Sequence, residues 1–376
     1  MHILVPTGIF HPEAGGPATY LYHFLPELQA RGHTVEVITF SDDAPSTAYP
    51  YPVRRIPRTH LLHRNWVYHQ AVKERLPQAD LVYVNGLGLW LPTFKQPSII
   101  KIVGDRAWER SMNRGWIAPD EDIDRFQLRR YSPLIQWIKR GRTKEAQAVD
   151  RVIVPSHYLK RMVIGWGVRS ERIEVIYNAF EAASDSGPKV SRAELGLPTD
   201  QPLLLMVARL TAWKGLDALL KALTDLPAIH LVVAGDGPML MAWQALASQL
   251  GLAERVRFLG DLPRQQVQAY YQAADYTVLY SGYEGLSHVL LESLSVGTPV
   301  IASAKGGNPE VVKHGENGLL VPYKNVEALR QALHQAFEGD TPQRLRAGAH
   351  LEAERFRWSG LVEKTIALLE RTAQGQ

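Results

Sequence analysis

Short apolar runs alternate with longer stretches of helical period along the whole chain, and this alternation limits the possible fold more than any other feature. The runs fall at residues 2–6, 35–40, 81–85, 99–103 and 152–155, and the pattern restarts at 203–208, 231–234, 256–259, 277–280 and 300–302. Strands joined through helices pair in parallel, because each helix returns the chain to the edge it left. Parallel sheets are covered on both faces, so their strands read as unbroken apolar runs. Between the two sets lie residues 181–200, rich in Ser, Pro, Gly and Asp, which is a linker by composition. The expectation is an α/β protein of two doubly wound domains, residues 1–180 and 181–357, facing each other across a ligand crevice. The stretch 358–376 reads as one more helix, free to cross back to the first domain.

Composition removes several function classes. There is no cysteine, so disulfides and thiolate metal sites are excluded and a reducing, cytoplasmic setting is expected. The 13 histidines show no H-E-x-x-H spacing. The chain enters an apolar strand at His2, without a cationic start or an apolar run long enough to span a bilayer, so neither leader nor span is expected. Charge is uneven: residues 1–180 hold 24 Lys and Arg against 17 Asp and Glu, and the remainder holds 18 against 21. A basic half suits an anionic partner, such as a phospholipid surface or an acidic acceptor, and equally an ordinary solvated surface. It shows no regular Lys/Arg stripe or RNA-binding motif, so nucleic acid is not expected.

The residues with chemical potential in the second half cluster where strands should end. Arg209 and then Lys214-Gly215 follow one run, and Gly235-Asp236-Gly237 follows the next. Ser281 to Gly285 follows a third, and Gly306-Gly307 a fourth. Glycines let backbone N–H groups approach a phosphate, and a helix starting near Ser287 points its free N–H groups at the same edge. Arg209 and Lys214 can neutralise charge on a departing nucleotide diphosphate. Glu284 and Glu292, with seven residues between them, can accept hydrogen bonds from sugar hydroxyls, one from a transferred sugar and one from a ribose.

The stretch EGLSHVLLESLSVGTPVIASAKGGNPEVVKHGENGLLV resembles the signature region of the retaining glycosyltransferases of family 4, which have the GT-B fold of two Rossmann-like domains. The family's E-x(7)-E motif matches Glu284 and Glu292, and its diphosphate-binding pair matches Arg209 and Lys214 in ARLTAWKG. Its Gly-Asp-Gly loop matches AGDGP, and its amino-terminal glycine loop matches Gly15-Gly16 in HPEAGGPATY. The resemblance implies a metal-independent, cofactor-free hexosyltransferase using a nucleotide-diphosphate sugar, with UDP favoured over GDP. Its acceptor would be a sugar, polysaccharide or lipid. Glu284 would contact the donor sugar and Glu292 the ribose. Gly15 and Gly16 would make room for phosphate and sugar, and Gly235, Asp236, Gly237, Gly260, Gly285, Leu286 and Ser287 would line the nucleotide. Two departures stand out. Many relatives carry a histidine where KIVGDRAWER places Gly104 and Asp105, so Asp105 either takes over that sugar contact or merely caps a helix. Trp108 and Glu109 would then line the acceptor side. Ser293 follows Glu292 where alanine is usual. A sugar-nucleotide epimerase and a non-catalytic nucleotide-binding module share this fold, though the four charged residues together favour transfer.

Other signals read as structural. Asp122-Ile123-Asp124 spells a metal motif but lies in the acidic run PDEDIDRF, at an exposed helix start. Gly86-Leu87-Gly88 reads as a loop near the acceptor crevice, and His288 as a residue of a helix start. SPLIQWIKRGRTKE predicts a helix capped by Ser132, with Leu134, Trp137 and Ile138 on one face and Lys139, Arg140, Arg142 and Lys144 as cations. That face either packs on its own domain or lies on an anionic membrane, as do the basic and aromatic residues of RRIPRTHLLHRNW, Arg54, Arg55, Arg58, Arg64 and Trp66.

Overall fold

The computed structural model describes residues 1–13, 15–42, 48–180 and 190–375. These gather into two compact units, one of Met1–Trp116, Phe126–Tyr177 and Ser359–Gln376, the other of Ile117–Arg125 and Asn178–Trp358. Of the expected linker, residues 181–189 lie outside the described part.

The first unit holds a seven-stranded sheet of β1 (His2–Pro6), β2 (Thr34–Phe40), β3 (Val53–Ile56), β4 (Leu81–Asn85), β5 (Ser98–Lys101), β6 (Arg151–Val154) and β7 (Ile173–Val175). The spatial order is β3-β2-β1-β4-β5-β6-β7, and every pair is parallel. The second unit holds β8 (Leu203–Val207), β9 (His230–Ala234), β10 (Val256–Gly260), β11 (Tyr276–Leu279), β12 (Val300–Ser303) and β13 (Gly318–Val321), ordered β10-β9-β8-β11-β12-β13 and again all parallel. In each sheet the strand order reverses beside the first strand. In the second unit this makes β8 and β11 neighbours, the position at which doubly wound sheets bind ligands beyond the carboxyl ends of their strands.

Alternation along β8 decides what each face packs against. Leu204 and Met206 pack with Leu219, Leu220 and Leu223 of the helix Leu216–Leu223 and with Leu329 and Leu333 of the helix Val326–Gln335. Leu203 and Leu205 face the other way, onto Tyr271 and Ala274. Each such leucine, removed fully from water, contributes about 1.5–3 kcal/mol. Those contributions hold the strands, and with them the loops at their ends.

The last helix, Trp358–Ala373, belongs almost entirely to the first unit. It buries Leu361, Val362, Ile366, Leu368 and Leu369, and the buried hydroxyls of Thr365 and Thr372 each donate to the carbonyl four residues back. Glu370 pairs with His33 at 3.1 Å.

The helix Pro133–Gln147 forms as predicted but is turned differently. Ser132 precedes it without making a side-chain cap. Its inward face carries Ile135, Lys139, Arg142 and Ala146, whereas Leu134 and Trp137 are 49% and 62% exposed. Lys139 is drawn inward because its ammonium caps carbonyls of Phe126, Gln127 and Arg129, at 2.7, 3.2 and 3.1 Å. Among the described residues no helix is long and apolar enough to cross a membrane.

Candidate active site

The loop after β8 carries Arg209, runs through a 3-10 turn at Ala212–Lys214, and enters the next helix at Gly215. The loop after β11 carries Ser281 to Ser287 and enters the helix His288–Ser295. Because β8 and β11 are neighbours, these loops meet. The Gly282 N–H donates to the Trp213 carbonyl at 2.7 Å. Lys214 Nζ then lies 2.6 Å from Glu284 Oε1, and Ser281 Oγ donates to the same oxygen at 2.6 Å. Both charged side chains are about nine-tenths or slightly less buried, at 16% and 13% exposed, so their attraction is only partly screened. Arg209 is exposed and has no side-chain partner among the described residues.

Two further loops close on this pair. Gly235-Asp236-Gly237 lies directly against the Arg209 loop: the Leu210 N–H donates to the Asp236 carbonyl at 2.8 Å. Gly235 has φ 129°, and a Cβ there would sit 2.0 Å from the Ala208 carbonyl oxygen, so no other residue fits. The same packing places Gly260, whose carbonyl accepts the Gly235 N–H at 2.7 Å. From the other side, the Gly307 N–H donates to the Glu284 carbonyl at 2.9 Å, and a Cβ on Gly306 would approach that carbonyl oxygen to 2.2 Å. Gly285, Leu286 and Ser287 continue the Glu284 loop. Ser287 caps the helix by accepting from the Leu290 N–H, and the Leu286 carbonyl accepts from Asn178 at 3.1 Å.

Glu292 stands apart from Glu284. Its neighbours are Tyr271, whose hydroxyl donates at 3.3 Å, and Arg264 at 3.6 Å. Burial, only partly offset by that arginine and tyrosine, raises its pKa above the usual carboxylate range. The adjoining Ser293 is fully buried, with its Oγ 2.8 Å from Thr277 Oγ1 and 2.8 Å from the Thr298 carbonyl. The departure from alanine thus ties the helix to the sheet beneath it.

Gly15 and Gly16 lie in the first unit, both exposed, at the start of the helix Gly16–Ala30. Gly15 is the N-cap, and a Cβ there would stand 2.9 Å from Ile9 Cδ1.

Asp105 requires a correction. It is wholly buried, caps the helix Arg106–Asn113 through the N–H groups of Ala107 and Trp108, and pairs with the buried Arg142. Gln127 donates to its second oxygen at 2.8 Å. Both carboxylate oxygens are committed to the protein, so the helix-capping alternative holds and the sugar contact does not. Trp108 is only 2% exposed and belongs to the core, so it does not line an acceptor surface.

The acidic run is also not merely solvated. Asp122 caps the helix Ile123–Leu128, accepting from the Asp124 N–H at 2.9 Å, and pairs with Lys305 at 2.6 Å; Asp124 meets the same ammonium at 3.3 Å. Burial resists ionisation of Asp122, but Lys305 prevails and holds its pKa below the usual value. Lys305 immediately precedes the glycines that pack on Glu284. It was missed because nothing local marks one lysine of SAKGG as paired with carboxylates about 180 residues earlier. Among the described residues no group of three or more His, Asp or Glu side chains converges as a metal site.

Two family models match the chain consecutively. Residues 14–183 match Glycosyltransferase Family 4, and residues 189–351 match Glycosyl transferases group 1. The chain is a family 4 glycosyltransferase. The D-inositol 3-phosphate glycosyltransferase of Mycolicibacterium smegmatis is 27% identical over 389 aligned positions, covering 96% of this chain and 87% of that protein. Among solved structures, the glycosyltransferase is similar to the sucrose-phosphate synthase of Thermosynechococcus elongatus, with a TM-score of 0.82, 22% identity and full coverage of both chains. It is also similar to Anabaena HepE in complex with UDP-glucose, with a TM-score of 0.76, 20% identity and coverage of 99% and 100%. These likenesses give the glycosyltransferase the GT-B fold expected from its motifs.

Proposed function

We propose that this glycosyltransferase moves a hexose from a UDP-sugar to an acceptor hydroxyl with retention of anomeric configuration. The observation that carries the reading is the Lys214–Glu284 pair, set at the carboxyl edge of the second sheet where its strand order reverses. A nucleotide diphosphate leaving with a full negative charge needs cations at that edge, and Arg209 and Lys214 supply them. The first N–H groups of the helix His288–Ser295 add a fixed positive end. Glu284 holds a hydroxyl of the donor sugar beside the β-phosphate, and Glu292, a turn further along, holds the ribose. The Gly235–Gly237 loop and the neighbouring Gly260 flank the nucleotide, and Gly15 and Gly16 leave room for phosphate and sugar. UDP is favoured because the similar HepE was solved with UDP-glucose. The acceptor is a glycan, a lipid or a small polyol.

Thermal-shift titration with UDP-, GDP- and ADP-sugars tests the donor, since a ligand raises the melting temperature according to its affinity. UDP-sugars should give the largest shift, and UDP should be released only when an acceptor is added. Arg209→Ala and Lys214→Ala should each lower turnover about 10²-fold or more. Full turnover in both variants, or a larger shift with GDP- or ADP-sugars, would refute the assignment.

A further inference from the structure

Residues 117–125 lie in the first half of the sequence but belong to the second unit, and at both ends the chain continues into the first. Ile117 and Ile123 of this segment are buried, and Asp120, Asp122 and Asp124 alternate along it. Two lysines of the second unit hold the aspartates. Lys305 Nζ lies 2.6 Å from Asp122 and 3.3 Å from Asp124. Lys324 Nζ donates to the Asp120 carbonyl at 2.9 Å and lies 3.4 Å from its carboxylate. The Lys324 pair is half or more exposed and contributes little. The Lys305–Asp122 pair is better shielded, with side chains 28% and 20% exposed. Burial works against the Lys305 charge, but the two carboxylates outweigh it and raise its pKa above the usual value.

Both lysines follow strands of the second sheet, at the edge that carries Glu284. Lys305 begins the turn after β12, closed by the Asn308 N–H donating to the Lys305 carbonyl at 3.2 Å. Gly306 and Gly307 fill that turn, and the Gly307 N–H donates to the Glu284 carbonyl at 2.9 Å. Ser303 Oγ adds a second tie to the same loop, donating to the Ser281 carbonyl at 2.5 Å. Lys324 follows β13 and has φ 63°, a left-handed backbone disfavoured away from glycine. Its neighbour Tyr323 covers Gly282, where a Cβ would meet the ring at 2.8 Å. The segment is thus fastened to two loops, and both of them pack on the loop that carries Glu284.

We infer that Asp122 and Asp124 are positioning residues for Glu284: paired with Lys305, they brace the Gly306–Gly307 turn against the Glu284 backbone and so fix where its carboxylate meets the donor sugar. The inference rests on the proposed role of Glu284. A carboxylate serves a sugar hydroxyl only at hydrogen-bond distance, and a misplacement of about 1 Å can cost about 10²-fold in rate. Without the two aspartates the Lys305 ammonium would turn to water, and the turn that backs Glu284 would lose its tether.

Calorimetric titration with UDP-glucose and with UDP, alongside hydrogen exchange of the peptide carrying Gly307, tests the brace. Asp122→Asn combined with Asp124→Asn removes both charges while keeping an equally good helix cap at position 122. This double variant and Lys305→Met should each weaken UDP-glucose about tenfold and leave UDP within about twofold, because only the sugar contact moves. Gly307 exchange should quicken about tenfold while β9 stays as protected as in the parent, and Lys305→Arg should keep both parental values. In a Glu284→Gln background the same changes should add nothing to the UDP-glucose loss, since they act through that carboxylate. Losses that multiply in full with Glu284→Gln overturn the inference, as does parental UDP-glucose affinity or parental Gly307 exchange in both brace variants. Should UDP-glucose fail to bind the parent, or bind Glu284→Gln as tightly, the donor reading falls instead, and exchange at Gly307 alone decides the brace.

Discussion

Substituting Glu284 and Glu292 in turn should separate sugar recognition from nucleotide recognition. Glu284 sits 2.6 Å from Lys214 Nζ, so part of the lysine's charge is already spent on it. Glu284→Gln keeps the shape and the Ser281 contact but releases that ammonium toward an incoming phosphate. Free UDP should bind as well as before or somewhat better. Turnover of the UDP-sugar should nevertheless fall, because the amide replaces a charge-assisted hydrogen bond to the transferred sugar worth about 1.5–3 kcal/mol, or about ten- to hundredfold. Glu292 has only longer contacts, 3.3 Å to the Tyr271 hydroxyl and 3.6 Å to Arg264, which leaves its carboxylate able to take a ribose. Glu292→Gln should therefore weaken free UDP and UDP-sugar alike by that same factor. The raised pKa of Glu292 adds a pH signature, since ribose binding needs the ionised form: parental UDP affinity should decline on acidification sooner than in Glu292→Gln. Calorimetric titration of both variants with UDP reads the difference directly. A loss of UDP affinity in Glu284→Gln with none in Glu292→Gln would reverse the roles and refute the reasoning.

Three further outcomes follow from the packing. Asp105→Asn should cost about 3–5 kcal/mol in urea unfolding, because it strands the buried Arg142 guanidinium; a loss below about 1 kcal/mol would show that the pair is not structural. Lys101 is 2% exposed, its Nζ 3.4 Å from the centroid of the Tyr20 ring and without a hydrogen bond, and burial lowers its pKa to about 7. The unfolded chain thus binds more protons between about pH 7 and 10.5, and stability rises across that window. Lys101→Met should then add up to about 4 kcal/mol at pH 7 and progressively less toward pH 10, measured by denaturation at both. Transfer activity should survive EDTA, while Asp122→Ala should cost about 1–2 kcal/mol of stability through the lost cap and the Lys305 pair; activity lost in EDTA and restored by Mn²⁺ would contradict this.

Of the strands legible in the sequence, all but the edge strand β10 have neighbours on both sides. β1, β4, β8 and β11 are buried and read as plain apolar runs. The three strands that were not anticipated, β3, β7 and β13, all lie at sheet edges. Val53-Arg54-Arg55-Ile56 and Ile173-Glu174-Val175 carry charge because an edge strand has one side open to water, and charge there also discourages pairing with another chain. β13 begins with Gly318, which weakens any strand pattern, yet a Cβ there would lie 2.3 Å from the Val300 carbonyl oxygen. The helix Pro133–Gln147 failed in the opposite sense: its apolar residues were easy to find, and polar partners decided its orientation. Arg142 faces inward because Asp105 is there, and Lys139 because three carbonyls are. Those partners lie on other elements, so no local window contains them.

The same distinction runs through the site. Arg209, Lys214, Glu284 and Glu292 were visible because charged residues beside glycines at strand ends are not explained by a core. What could not be read is how far the glycines serve the loops themselves. Gly235 lies against Ala208, Gly237 against Leu210, Gly306 against Glu284 and Gly307 against Gly285, each with a carbonyl oxygen 2.0–2.5 Å from where a Cβ would stand. The Gly-Asp-Gly and Gly-Gly motifs are therefore required before any phosphate arrives, since they let four loops stack at one edge and hold Lys214 against Glu284. An alanine at Gly235 would displace the Arg209 loop and lose activity whether or not the glycine N–H touches a ligand. Arg209 and Lys214 are the better probes of the phosphate site, because Arg209 is exposed, Lys214 reaches only Glu284 among the described residues, and truncating either side chain leaves the stacked backbone in place.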